Sequence, residues 1–168
     1  MSLPAVDLGI MAEHLSTHKG VIHKLKMYYS TVQNPDLSKL LKLHIKVLRN
    51  HVNTMLALIN PDRNGEVHLP SMEIVHLSMG SALSEMEKDI VLEARATAKL
   101  MGSDNFNSAL MMKDTNVKNV HLQMSYQDVT MQMLYGNLLK AMNGEFVPKV
   151  SKEMQRLTFE KYQHVQNE

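Results

Sequence analysis

The sequence contains no cysteine and no tryptophan, and phenylalanine accounts for only 3 of its 168 residues. Without cysteine there is no disulfide bond, no thiolate metal ligand and no cysteine-dependent catalysis. No apolar run approaches the ~18 residues that a membrane-spanning helix requires. The first residues also lack the charged and apolar regions of a signal peptide, so we expect a protein synthesised in the cytoplasm, with no signal peptide and no membrane span.

The charges nearly balance, because the sequence has 18 basic and 17 acidic residues and a formal net charge of +1. A nucleic-acid surface would require a basic face or stripe, so no nucleic-acid partner is expected. Methionine, in contrast, is abundant, with 15 residues. Its flexible side chain fills irregular gaps, and its spacing here favours packing in a helical core over binding of a soft metal.

Four long segments carry apolar residues at alternating spacings of three and four, which is typical of helices that bury one face. Three of the predicted helices cover about 6–32, 35–59 and 115–142, and another begins near Ser84. The predicted inner face of the first helix is Leu8, Met11, Leu15, His18, Ile22, Leu25, Tyr29 and Val32. That of the third is Leu83, Met86, Ile90, Ala94, Thr97 and Met101. Residues 102–108 have poor helix propensity, so a kink, a break or a polar lining is expected there.

The breaks between these segments predict how the helices connect. Asn34 and Pro35 form an N-cap followed by a proline at the first helical position, so the first turn is short. Residues 34–40 and 114–120 are similar in sequence at an offset of 80, which indicates two helical hairpins, 6–60 and 82–143. Residues 60–81 are too long for a tight turn and are predicted to cross the length of the bundle.

These elements predict an all-α fold, a single domain over residues 1–168 built as a ferritin-like four-helix bundle. It consists of two αα-hairpins joined by one long crossover. The tail, residues 144–168, is predicted to add a short C-terminal helix outside the bundle. Asn143 and Gly144 are a predicted helix stop.

Polar residues interrupt the apolar faces and form the candidate site. Counted from the turns, His18 and His51 lie at nearly the same height, and Asp128 lies at the middle of the fourth helix. Two histidines and a carboxylate could bind a divalent transition-metal ion. A metal-free hydrogen-bonded network and a different rotation of the helices are alternatives. Asp104 and His121 form a second predicted polar pair.

The sequence does not favour an enzyme. A di-iron site would require Glu-x-x-His on two helices, whereas the only instance, Glu73 to His76, lies in the connection. No phosphate-binding glycine loop or nucleophile motif is present. We therefore expect no catalytic residue and no cofactor, with a divalent metal as the alternative.

The second hairpin has a glutamate six residues before a lysine, Glu93 and Lys99, followed by the turn from Asp114 to Val117 and by Gly144 to Phe146, and the first hairpin repeats the first two of these features. Through these features residues 86–143 resemble the Coat F family, the spore coat protein F-like proteins of endospore-forming bacteria. Lys118 stands where the family has arginine, and the turn lacks proline. The resemblance implies a ferritin-like fold and a structural role in the spore coat, with other coat proteins as partners and no catalytic residues.

We therefore expect a structural component of a bacterial spore coat, located there and acting by protein association, with a homo-oligomer expected. Met27, Tyr28 and the apolar residues of the tail are the predicted association surface. The alternative is a metal-binding ferritin-like protein with His18, His51 and Asp128 as ligands. A small-molecule binder with a pocket lined by Met124, Met131 and Tyr135 is the third hypothesis.

Overall fold

The computed structural model describes residues 2–142 and 145–168. These residues form helices and no strand, so the predicted all-α class is confirmed. The helices are α1 (Ala5–Thr31), α2 (Pro35–Ile59), α3 (Glu85–Met111), α4 (Thr115–Ala141), α5 (Lys152–Tyr162) and a 3₁₀ helix (Gln163–Asn167). No helix within the described residues is long and apolar enough to cross a membrane. The predicted stop at Asn143 and Gly144 lies outside the described residues.

The internal repeat is present in the helix boundaries. α1 begins at Ala5 and α3 at Glu85, an offset of 80 residues, and their last residues, Thr31 and Met111, keep that offset. The N-caps of α2 and α4 also correspond. Asn34 accepts hydrogen bonds from the N–H groups of residues 36 and 37, and Asp114 accepts one from that of residue 117.

A reciprocal pair of carboxylates joins the two hairpins. Asp7, near the start of α1, accepts hydrogen bonds from the N–H groups of residues 113 and 114 at 2.9 and 2.8 Å. Glu87, near the start of α3, accepts from those of residues 33 and 34 at 2.8 and 2.7 Å. Each carboxylate thus holds the turn of the other hairpin, and Glu87 also completes the predicted capping box with Ser84.

The long connection runs from the end of α2 back to its beginning. Arg63 lies 3.4 Å from Asp114 at the start of α4, and the carbonyl of Pro70 accepts a hydrogen bond from Gln127 further along that helix. The N–H groups of residues 78 and 79 then reach Asp36 at the start of α2. α3 therefore begins beside the start of α2 and runs parallel to it.

The inner faces of α1 and α3 differ from the prediction at three positions. Leu8 and Tyr29 are 46% and 42% exposed, and Met86 is 54% exposed. At Leu8 and Met86 the neighbouring Asp7 and Glu87 take the inward positions, because their carboxylates bind the remote turns. The apolar pattern alone cannot predict this, because the partner lies in the other hairpin.

The predicted weak segment of α3 does not break the helix, which is continuous from Glu85 to Met111. The polar-lining alternative agrees with the structure, since Asn105 and Ser108 are buried. Gly102 allows close packing here, because a Cβ at that position would lie 3.3 Å from Cγ2 of Val129 on α4. α3 and α4 form the most closely packed helix pair.

Candidate functional site

Four histidines form a buried cluster in the interior of the bundle. His14 and His18 extend from α1, His51 from α2 and His121 from α4, and none is more than 5% exposed. The ring centroids of His121 and His14 are 5.3 Å apart, those of His14 and His18 6.4 Å, and those of His18 and His51 5.6 Å. The rings thus form a continuous row, which we call the histidine cluster.

Each ring of the histidine cluster has one nitrogen directed at an oxygen atom. Nδ1 of His18 donates to the carbonyl of His14 at 2.7 Å, and Nδ1 of His121 donates to the carbonyl of Val117 at 2.9 Å. Nε2 of His14 lies 3.0 Å from the hydroxyl of Ser108. In the first two rings the carbonyl can only accept, so the hydrogen is fixed on Nδ1 and the other nitrogen of the neutral ring carries a lone pair.

His51 faces acceptors on both sides. The amide nitrogen of Gln127 donates to the carbonyl of Pro70 at 2.8 Å, which directs its oxygen to Nε2 of His51 at 3.0 Å. Nε2 of His51 therefore donates, and Nδ1 of the neutral ring has only a lone pair. That atom lies 3.4 Å from Nε2 of His18, which also lacks a hydrogen. Neither of these two nitrogens carries a hydrogen, so they cannot form a hydrogen bond with each other.

Two further nitrogen atoms in the cluster have no partner among the described residues. They are Nδ1 of His14 and Nε2 of His121, and both are shielded from solvent. Buried nitrogens without a hydrogen bond are uncommon in proteins and are often explained by an ion or a functional role.

Burial keeps these rings neutral. It lowers the pKa of His18 and His121 to about 4 and the pKa of His51 to about 3. Burial also lowers the pKa of His14, although the nearby carboxylates of Asp104 and Glu13 oppose the shift. At neutral pH all four rings are thus unprotonated bases in the interior.

Of the three predicted ligands, the structure brings together His18 and His51 but not Asp128. The carboxyl of Asp128 instead accepts a hydrogen bond from Asn105 of α3 at 2.8 Å. Burial raises the pKa of Asp128 to about 8, and the bond from Asn105 only partly offsets it. Asp128 is therefore protonated at neutral pH. The rotation of α4 directs its carboxyl to α3 and away from both histidines.

The predicted pair of Asp104 and His121 is replaced by a different one. The side chain of Asp104 is 65% exposed and approaches Nε2 of His14 at 3.7 Å, whereas His121 stacks on His14. The predicted site does not include His14 or Gln127. The spacing of four residues between His14 and His18 places both rings on one side of α1, but without the glutamate of a His-Glu-x-x-His motif it is a weak signal of a metal site.

The third hypothesis, a pocket lined by Met124, Met131 and Tyr135, does not agree with the structure. All three side chains are 0% exposed and packed into the core. The hydroxyl of Tyr135 lies 3.2 Å from Nδ1 of His44, another fully buried histidine. Burial lowers the pKa of His44 to about 3, so this ring is also neutral.

The site can offer the nitrogen lone pairs of neutral imidazole rings, directed into the interior of the bundle. Among residues 2–142 and 145–168, no three His, Asp or Glu side chains are arranged around one point as metal ligands would be. Comparison with known proteins found no matching family model, curated protein or solved structure.

Proposed function

We propose that this protein is a structural component of a bacterial spore coat or of its assembly and acts by associating with other proteins. The spore coat is the location that the resemblance of residues 86–143 implies. We also infer a ferritin-like four-helix bundle, which is supported by the crossover and by the parallel course of α2 and α3.

The tail is the observation that carries this proposal. Every residue from 145 to 168 is exposed, yet a third of the tail is apolar or aromatic. These side chains are between 48% and 88% exposed: Phe146, Val147, Val150, Met154, Leu157, Phe159, Tyr162 and Val165. So many exposed apolar side chains in one short segment are typical of a surface that binds a partner.

The helix of the tail is formed but not covered. Ser151 caps α5 by accepting a hydrogen bond from the N–H group of Met154. Arg156 forms ion pairs with Glu153 and Glu160 along one side of the helix, whereas Met154 and Tyr162 lie on the other. An isolated helix of 11 residues is only marginally stable in water, so docking of its apolar side would stabilise it.

We propose a second copy of the chain as the first partner, because the bundle carries an apolar groove. A cleft of about 530 Å³ lies between the connection and α4, and its apolar lining includes Leu69, Met72, Leu122 and Tyr126. An amphipathic helix can place its apolar side in such a groove. The predicted surface at Met27 and Tyr28 is a weaker candidate, because Tyr28 is packed against the core and donates to Glu93.

Analytical ultracentrifugation of the full chain tests the association. Replacing Met154 and Tyr162 by glutamate should shift an oligomer toward monomer, because a buried charge opposes docking. The matched control is Lys152→Glu, which adds negative charge to the same helix outside its apolar side. A chain that is monomeric at all concentrations, or a double variant that sediments like the unmodified protein, would contradict the proposed mechanism.

The coat assignment has a separate test. A tagged chain produced in an endospore-forming bacterium is expected in the coat fraction of purified spores, and the tail variant should be depleted from it. Recovery only in the soluble fraction of the mother cell would refute the location and leave the self-association result unaffected.

A further inference from the structure

The internal repeat provides a comparison for the histidine cluster within the same chain. An offset of 80 residues relates the two hairpins, so each histidine has a counterpart in the other half. The counterparts of His14, His18, His51 and His121 are Ala94, Ala98, Met131 and Leu41. All four counterparts are 0% exposed and belong to the apolar core. The fold therefore fills the equivalent place with apolar side chains and does not itself require the histidines.

We propose that the histidine cluster binds one transition-metal ion of the class that prefers imidazole, such as zinc. Nε2 of His18 and Nδ1 of His51 are the first two ligands, and His121 and His14 complete the site. This site is independent of the association through the tail.

The distance between the first two ligands fits a metal ion. Two nitrogen ligands of a tetrahedral zinc ion, each at ~2.1 Å from the metal, lie about 3.4 Å from each other. Nε2 of His18 and Nδ1 of His51 are 3.4 Å apart. Both atoms carry lone pairs and lack a hydrogen between them, so a cation between them replaces a repulsive contact by two bonds.

The outer contacts of the rings have the pattern of metal-bound histidines. Such histidines generally donate their second N–H group to a carbonyl, a carboxylate or water, which fixes the ring and its tautomer. Here His18 and His121 donate to backbone carbonyls, and His51 donates to the oxygen of Gln127. The nitrogen left free in each of these rings is the one that can bind a metal.

The remaining ligands require a movement of the rings, since no three side chains within the described residues surround one point. Nδ1 of His14 and Nε2 of His121 make no hydrogen bond among those residues, so each can bind an ion without losing a hydrogen bond of its own, while the rotation shifts the contact of His14 with Ser108 or of His121 with Val117. One of them is sufficient for a three-nitrogen site with an open position, and both give a closed one.

A surface cleft leads toward the cluster. Its volume is about 480 Å³, and Glu13 and Asp104 line it together with His14 and Ser108. A smaller cavity of about 10 Å³, lined by His14, Asp104 and His18 among others, continues inward. The exposed carboxylates attract cations, and His14 lies between the cleft and His18.

Zinc titration of chelator-treated full-length protein tests the site, with elemental analysis for stoichiometry and a chromophoric chelator as competitor. One zinc per chain is expected, and His51→Gln should weaken binding at least about 100-fold. The matched control is His44→Gln, which alters an equally buried histidine that contacts Tyr135 instead, and it should bind like the unmodified chain. No zinc, or zinc retained by His51→Gln, would overturn the proposal.

A second variant keeps the test valid if His51→Gln does not fold. It replaces all four histidines by their counterparts, as His14→Ala, His18→Ala, His51→Met and His121→Leu. A helical circular dichroism spectrum with loss of zinc supports the site, whereas a folded quadruple variant that still binds zinc overturns it.

Discussion

Acid should unfold this protein well above the pH at which its carboxylates are protonated. Burial lowers the pKa of His18 and His121 to about 4 and that of His44 and His51 to about 3. In the unfolded chain these rings titrate near ~6.5. Between those values the unfolded state binds more protons than the folded state, so the free energy of unfolding falls as the pH falls.

The size of the effect follows from these values. Between about pH 7 and about pH 5, each of the four histidines removes about 1.8 kcal/mol, or about 7 kcal/mol together. Asp128 acts in the opposite direction, because burial raises its folded pKa to about 8, and it restores about 2.5 kcal/mol over the same range. The net loss of about 5 kcal/mol is comparable to the whole stability of an ordinary domain.

Urea unfolding followed by circular dichroism, in the presence of a chelator, measures this loss. The matched variant is His44→Met, because Met124 occupies the corresponding position of the repeat and is 0% exposed. The variant should lose about 1.8 kcal/mol less than the unmodified chain over this pH range. His23→Gln, at an exposed position, should leave the loss unchanged. Equal stability at the two pH values would refute the reasoning that the buried rings are neutral.

Three further predictions concern individual buried groups. Asp128→Asn should abolish the loss of stability between about pH 7 and about pH 9 in thermal unfolding, because the folded carboxyl keeps its proton until its pKa of about 8. Asp7→Ala and Glu87→Ala should each lower the free energy of unfolding by about 2–3 kcal/mol, since the first leaves two backbone N–H groups without their acceptor and the second leaves three. Tyr135→Phe should lower it by about 1–2 kcal/mol, because buried His44 loses its partner.

The carboxylate→alanine variants and the tyrosine variant each have a control on the surface. Glu85→Ala removes an exposed carboxylate two residues from Glu87 and should change stability by less than about 0.5 kcal/mol. Tyr126→Phe removes the hydroxyl of a residue that is 76% exposed and should have no measurable effect. Losses in these controls equal to those in the buried variants would show that the assigned hydrogen bonds do not carry the energy.

Local features of the sequence were sufficient to predict the helices. The caps at Asn34 and Ser84 act on N–H groups two or three residues away, and the apolar spacing follows the turn of a single helix. The prediction was wrong at Leu8 and Met86, where the inward position belongs to a carboxylate that binds a turn more than fifty residues away. Such partners are visible only when the chain is folded.

The candidate site was also predictable only in part from the sequence. The height of His18 relative to His51 follows from counting residues outward from a short turn, and the structure brings these side chains into contact. The direction of Asp128 depends on the rotation of α4, which is set by its close packing against α3. Successive side chains of a helix point about 100° apart. A residue can therefore be predicted at the correct level along the helix and still face a different partner.

The reciprocal carboxylates have a consequence for the symmetry of the molecule. Asp7 and Glu87 each bind the turn of the other hairpin, so two identical hairpins would be joined by two identical contacts. The present molecule therefore has the contacts of a symmetric dimer whose subunits are tethered by the crossover. In a true dimer, any change at the interior would appear in both halves. In a single chain the two equivalent places of the interior can differ, so one holds alanine, methionine and leucine and maintains the fold while the other holds four histidines.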